Sequence, residues 1–97
     1  MVFTTMIDAT ELAITSAFMV LSDAVYRYES EMGVTTRIDV QVRPVTDLLF
    51  FDVRVWDANT QMMYANGTEH SLLNAIDICR NVLADNKNYH KRIKGIG

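Results

Sequence analysis

The sequence predicts an α+β fold of order α-β-β-β-α, with two helices packed on one three-stranded antiparallel sheet. Three patterns predict it: a helical apolar stripe near the N-terminus, a middle third that alternates with period two, and a second helical stripe after Asn66-Gly67. No internal repeat, linker or low-complexity run interrupts them. The 97 residues therefore read as one domain over 1–86 and a basic C-terminal tail over 87–97.

The first helix opens at Asp8-Ala9-Thr10-Glu11, which has the spacing of a capping box. Ile14, Phe18, Leu21, Val25, Tyr28 and Met32 then recur at intervals of three and four, and Gly33 is a favourable residue just past the end. Leu12, Met19 and Tyr26 form a second apolar row, so this helix is expected to be covered on two sides. From Val34 to Arg43 the chain alternates cleanly, with Val34, Thr36, Ile38, Val40 and Val42 on one face and Thr35, Arg37, Asp39, Gln41 and Arg43 on the other, which predicts a half-buried strand. Pro44 lacks the N–H a ladder needs, which predicts a turn over 44–47. A second strand follows over 48–57 with Leu49, Phe51, Val53 and Val55 inward, then a turn at Asp57-Ala58-Asn59-Thr60. A short third strand over 61–65 is expected to end at Asn66-Gly67. Thr68 or Ser71 caps the last helix, whose inner stripe is Leu72, Ile76, Cys79 and Leu83. Its pattern fades at Asp85-Asn86, so the tail is expected to be extended or frayed.

Apolar residues at 49% and charged residues at 22% are ordinary globular values and argue against disorder. One cysteine cannot form an intrachain disulfide, which points to a reducing compartment. The uncharged run from Leu12 to Ser22 is too short for a membrane span, and the acids before it are the reverse of a signal peptide's basic start. The expected location is the cytoplasm, that of the host cell where the chain is phage-encoded. The net charge of −3 hides a polarity. All twelve acids lie between Asp8 and Asp85 against five arginines, which leaves that body at −7, while Lys87, Lys91, Arg92 and Lys94 make the tail +4. An acidic body repels nucleic acid and attracts a protein with a basic groove.

Catalysis finds no foothold. His70 and His90 lie in different elements, and with a single cysteine on a core stripe they make no zinc set, so neither metal nor cofactor is expected. Cys79 sits between Ile76 and Leu83 as a small buried hydrophobe rather than an activated thiol. Asp39 and Asp52 share the outer sheet face with Arg37, Arg43 and Arg54, which reads as a solvated, charge-paired checkerboard. Leu48, Phe50 and Trp56 occupy that same face, where a sheet normally shows polar groups to water. Trp beside Arg is enriched at energetic centres of interfaces. The competing expectation is that the second helix or the tail folds over them.

In topology and length the chain resembles double-stranded-RNA-binding domains. It departs from them at the start of the last helix. Where those domains place a lysine cluster on phosphates, Thr68-Glu69-His70-Ser71-Leu72-Leu73-Asn74 has no Lys or Arg. In its length, acidic body, absence of an active site and broad apolar surface, the chain is similar to small phage- and prophage-encoded anti-CRISPR proteins of the type I-F kind. That group shares no motif, so no residue carries over. The resemblance implies an occlusive binder of the CRISPR surveillance complex, in some members through a DNA-like charge layout.

The function expected from sequence is therefore a non-enzymatic inhibitor that binds a protein with a basic DNA-binding groove and blocks it. Asp23, Tyr26, Glu29 and Glu31 toward the end of the first helix are the first candidate contacts, and Asp39, Asp52 and Trp56 on the sheet the second. The alternatives are a homodimeric module that buries the apolar face of the first helix, and a nucleic-acid binder working through the tail.

Overall fold

A computed structural model describes residues 9–96, with side chains described over 11–87. The elements are α1 (Ala9–Met32), β1 (Thr36–Val45), β2 (Leu48–Asp57), β3 (Met63–Glu69) and α2 (Leu72–Ile96). The three strands form one antiparallel sheet in the order β1-β2-β3. The predicted α-β-β-β-α architecture is the observed one. Asp8, the expected cap of α1, lies outside the described residues.

Helix α1 ends as its sequence requires. Gly33 takes φ of +70°, and the N–H groups of Gly33 and Val34 both donate to the Glu29 carbonyl, at 2.9 and 3.3 Å. The Glu29 carboxylate then ties the helix end to the sheet, its Oε2 accepting from the Thr36 N–H at 2.8 Å and the Thr36 hydroxyl at 3.2 Å. Ser71 caps α2: its carbonyl accepts from the Ala75 N–H at 2.9 Å, and its hydroxyl oxygen lies 3.4 Å from the Asn74 N–H.

The core joins α1, β2, β3 and α2. It comprises Leu21, Val25 and Tyr28, then Val53 and Val55, then Tyr64 and Ala65, and finally Ala75, Ile76, Cys79 and Leu83. The predicted stripes of both helices supply their share, as do Val53 and Val55 of β2, whereas Leu49, expected inward, is 53% exposed. Helix α2 lies across β3 and β2, and α1 packs beside it. The strand β1 contributes nothing to this core. Its inward row stays wet, with Val40 40% and Val42 55% exposed.

Three elements differ in their bounds from the sequence expectation. Strand β1 continues through Pro44 to Val45, leaving a two-residue turn at Thr46-Asp47. An edge strand tolerates proline where the missing N–H would point away from its neighbour. Strand β3 begins at Met63 rather than Gln61 and runs on through Asn66-Gly67 to Glu69, so this dipeptide is not a turn. Gly67 is required by a close crossing instead, since a Cβ there would sit 2.0 Å from the Ala75 carbonyl oxygen. Helix α2 continues to Ile96 without a break at 86/87, so the tail is neither extended nor separate from the last element. Asn86 and Lys87 fasten its middle, the amide donating to the Tyr64 carbonyl at 2.8 Å and the ammonium lying 3.3 Å from Glu31 Oε2.

Two local features have measurable consequences. The β2–β3 register slips between Val55 and Trp56, which leaves Tyr64 as the extra residue of a bulge. Its ring meets Tyr28 at 5.1 Å, and its hydroxyl donates to Asp57 Oδ2 at 2.7 Å. Thr46 takes φ of +55°, a poor region for a β-branched residue and a favourable one for glycine. Thr46→Gly is therefore expected to stabilise the fold by about 1 kcal/mol, raising the melting temperature by ~5 °C. An unchanged or lower midpoint in a thermal melt would count against strain at this turn.

Candidate protein-binding face of the sheet

Neither helix covers the outer face of the sheet. Cross-strand pairing sets its rows: Arg37 opposite Trp56, Asp39 opposite Arg54, Gln41 opposite Asp52, and Arg43 opposite Phe50. On the other side of β2, Thr68 lies opposite Asp52 and Asn66 opposite Arg54. Alternation along three neighbouring strands thus gathers three guanidiniums and two large aromatics onto one surface that neither helix covers.

Asp52 organises the centre. It is only 2% exposed, and Thr68 donates to its Oδ1 at 2.6 Å. Arg43 Nε donates to Oδ2 at 3.2 Å, and Arg54 Nη2 lies 3.7 Å from the same oxygen. The Thr68 hydrogen bond first, then the Arg43 hydrogen bond, hold this carboxyl below the usual carboxylate range. Arg54 is further fixed by donating to Gln41 Oε1 at 3.2 Å. At the two ends, guanidiniums lie over aromatic rings: Arg37 over Trp56 at 5.2 Å, and Arg43 over Phe50 at 5.8 Å. Phe50 also meets the His70 ring at 4.0 Å, whose Nδ1 is 3.2 Å from the Leu49 carbonyl oxygen. Trp56 Nε1 is buried without a hydrogen-bond partner among the described residues.

The residues predicted as contacts fall into separate places. Asp23 pairs with Arg27 at 3.2 Å on the exposed side of α1. Tyr26 stands 68% exposed on that helix, with Leu12 and Met19 of its row also exposed, so the expected second cover of α1 is absent among the described residues. Glu29 is engaged by Thr36, and Glu31 by Lys87. Asp39 is half-buried beside Arg54. The expectation of Asp52 as a solvated carboxylate is corrected: it is buried beneath two arginines, and the charge this surface displays is theirs. Trp56, Asp39 and Asp52 of the predicted set share this face with Arg37, Arg43, Arg54 and Phe50, and the alternation of these residues in the sequence carried that signal.

Other surfaces offer less. A groove of about 240 Å³ between α1 and α2 is lined by Asp23, Tyr28 and Leu83 with Arg27, Arg80 and Lys87, and each of these three cations has a carboxylate neighbour. Among the described residues no three metal-capable side chains converge. Burial pushes the Cys79 thiol up to about 11, so almost none of it is thiolate at neutral pH. A thiol reagent should leave the native chain unmodified and label it fully in denaturant. Rapid native labelling would mean that Cys79 is reached by solvent. No protein-family model, curated protein or solved structure matches the chain.

Proposed function

We propose that the chain is a non-enzymatic binding protein that docks on a protein partner through the outer face of its sheet. One observation carries this reading: Trp56 and Phe50 lie beneath Arg37 and Arg43 on a face that neither helix covers. Trp and Arg are the side chains that most often dominate interface energetics. Here their positions are set in advance by cross-strand pairing and by the Asp52 hydrogen bonds, which reduces the ordering cost of binding. The surplus of guanidiniums suits an acidic patch on the partner.

In its narrower form the proposal makes the chain an inhibitor that blocks the DNA site of a nucleic-acid-handling complex. The carboxylates first chosen for that role support it less well than the sheet does. Asp23, Glu31 and Asp52 each face a cation of this same chain and Glu29 is held by Thr36, so these four are not presented freely in place of phosphates.

The test uses the immobilised full chain beside its Arg37→Glu variant, with lysate of the cells in which the chain is made. Arg37 is exposed, so the substitution should move the melting temperature by no more than ~2 °C. The expected result is a specific partner retained by the wild type and weakened at least about tenfold by the variant. Equal retention by both would remove this face from the proposal. A partner so captured is then asked whether it still binds DNA, and simultaneous binding of both would end the narrower form.

A further inference from the structure

Strand β1 is an edge strand of the sheet. In a two-residue hairpin the closing pair, Val45 and Leu48, exchanges both backbone hydrogen bonds. Every second residue from there, at Arg43, Gln41, Asp39 and Arg37, turns its N–H and C=O toward β2. Ile38, Val40, Val42 and Pro44 turn theirs to the open edge, where the strand order places no other strand of the described chain, while the Thr36 N–H is taken by the Glu29 carboxylate. A bare edge from Ile38 to Pro44 is an unusual thing for a protein to leave. Proline blunts the end beside the turn, and the Glu29–Thr36 tie occupies the other.

We propose that two copies pair antiparallel along β1, with the two-fold axis at Gln41, forming one continuous six-stranded sheet. The charges of the strand select this register. It places Asp39 opposite Arg43 of the second copy, and Arg43 opposite Asp39, so two opposite-charge pairs flank the axis. On the inner face, Val40 meets Val42 and Ile38 meets Pro44. About six backbone hydrogen bonds form, the prolines removing one at each end. Moving the axis to Val40 sets Arg37 against Arg43, and moving it to Asp39 sets that carboxylate against its own copy, both unfavourable across a ladder. Self-complementarity of one strand is a property a foreign peptide has no reason to match. The half-exposed Ile38, Val40 and Val42, which no described element covers, gain neighbours by the same step. The pairing also joins two arginine–aromatic faces side by side. It does not depend on those faces binding a partner.

Light scattering on the full chain across micromolar concentrations is expected to show twice the 11.0 kDa chain mass. Asp39→Lys should weaken dimerisation about tenfold while the far-ultraviolet dichroism stays native. Gln41→Cys reads the register directly. Non-hydrogen-bonded residues facing each other across antiparallel strands lie ~4.5 Å apart at Cα, within disulfide reach. Mild oxidation should link Cys at 41 into a covalent dimer, while Val42→Cys should not link. A monomer at every concentration overturns the proposal. So does a dimer that Met19→Glu on α1 disrupts and Asp39→Lys does not, and so does a dimer whose residues at 42 link in place of those at 41.

Discussion

Gly67→Ala is expected to cost about 3 kcal/mol or more and to lower the melting temperature by more than ~10 °C, or to prevent folding altogether. The added Cβ would stand 2.0 Å from the Ala75 carbonyl oxygen and 2.6 Å from the Cys79 nitrogen. Both are backbone atoms of α2, so no rotamer change relieves the clash, and the helix must lift off β3. Lifting it opens the core at Ala75, Ile76 and Cys79, all fully buried. Gly33→Ala is the informative comparison. Nothing lies within 4 Å of a Cβ there, and only the φ of +70° opposes the substitution. Its cost should be about 1 kcal/mol. Near-equal melting temperatures for the two variants would show that α2 is not seated on Gly67.

That glycine also marks where sequence reasoning reached its limit. Periodicity exposed both helices, their inner stripes and the alternation of β2, because burial selects apolar residues one at a time along the chain. Glycine and proline are ambiguous to the same reading. Pro44 reads as a strand end, yet it occupies an edge position whose N–H would have pointed outward. Asn66-Gly67 reads as a turn, yet its small size serves the crossing of a helix that arrives later in the chain. The end of α2 was hidden for a different reason. Its last turns carry only Tyr89, Ile93 and Ile96 at helical spacing, too short a run among basic residues to separate a continuing helix from a frayed tail.

The candidate site was legible in composition and obscure in arrangement. Phe50 and Trp56 announced themselves as large apolar groups on a face that should have been polar. Charge, by contrast, misled. Counting carboxylates gave an acidic body, but a count does not show that Glu29 is spent on Thr36 or that Asp52 lies beneath Arg43 and Arg54. One consequence is that Glu29→Lys should lower stability by about 1 kcal/mol through loss of the α1–β1 tie, and is therefore a poor probe of partner binding. Such partnerships are long-range products of the fold and leave no local trace.

Asp52→Ala is the second large effect, expected to cost about 2–3 kcal/mol at neutral pH. It strands the Thr68 hydroxyl and leaves two guanidiniums facing each other with no anion between them. Half of the Arg43 side chain reaches water, which keeps the loss below that of a fully buried pair broken from one side. Asp52→Asn preserves the volume and an acceptor for Thr68, so it isolates the contribution of charge. The folded chain holds this carboxyl below its ordinary value of 3.8, which fixes the sign of the pH dependence. The stability it contributes is complete above about pH 5, where the group is ionised in both states, and drains away as acid protonates the native carboxyl. In denaturant titrations the gap between wild type and Asp52→Asn should therefore narrow from pH 7 to pH 2. Because the carboxylate also aims Arg43 and Arg54, the same variant should weaken partner binding at neutral pH even where the chain remains fully folded. A gap that stays constant down to pH 2 would mean that packing, rather than the charge of Asp52, holds the two arginines on the face.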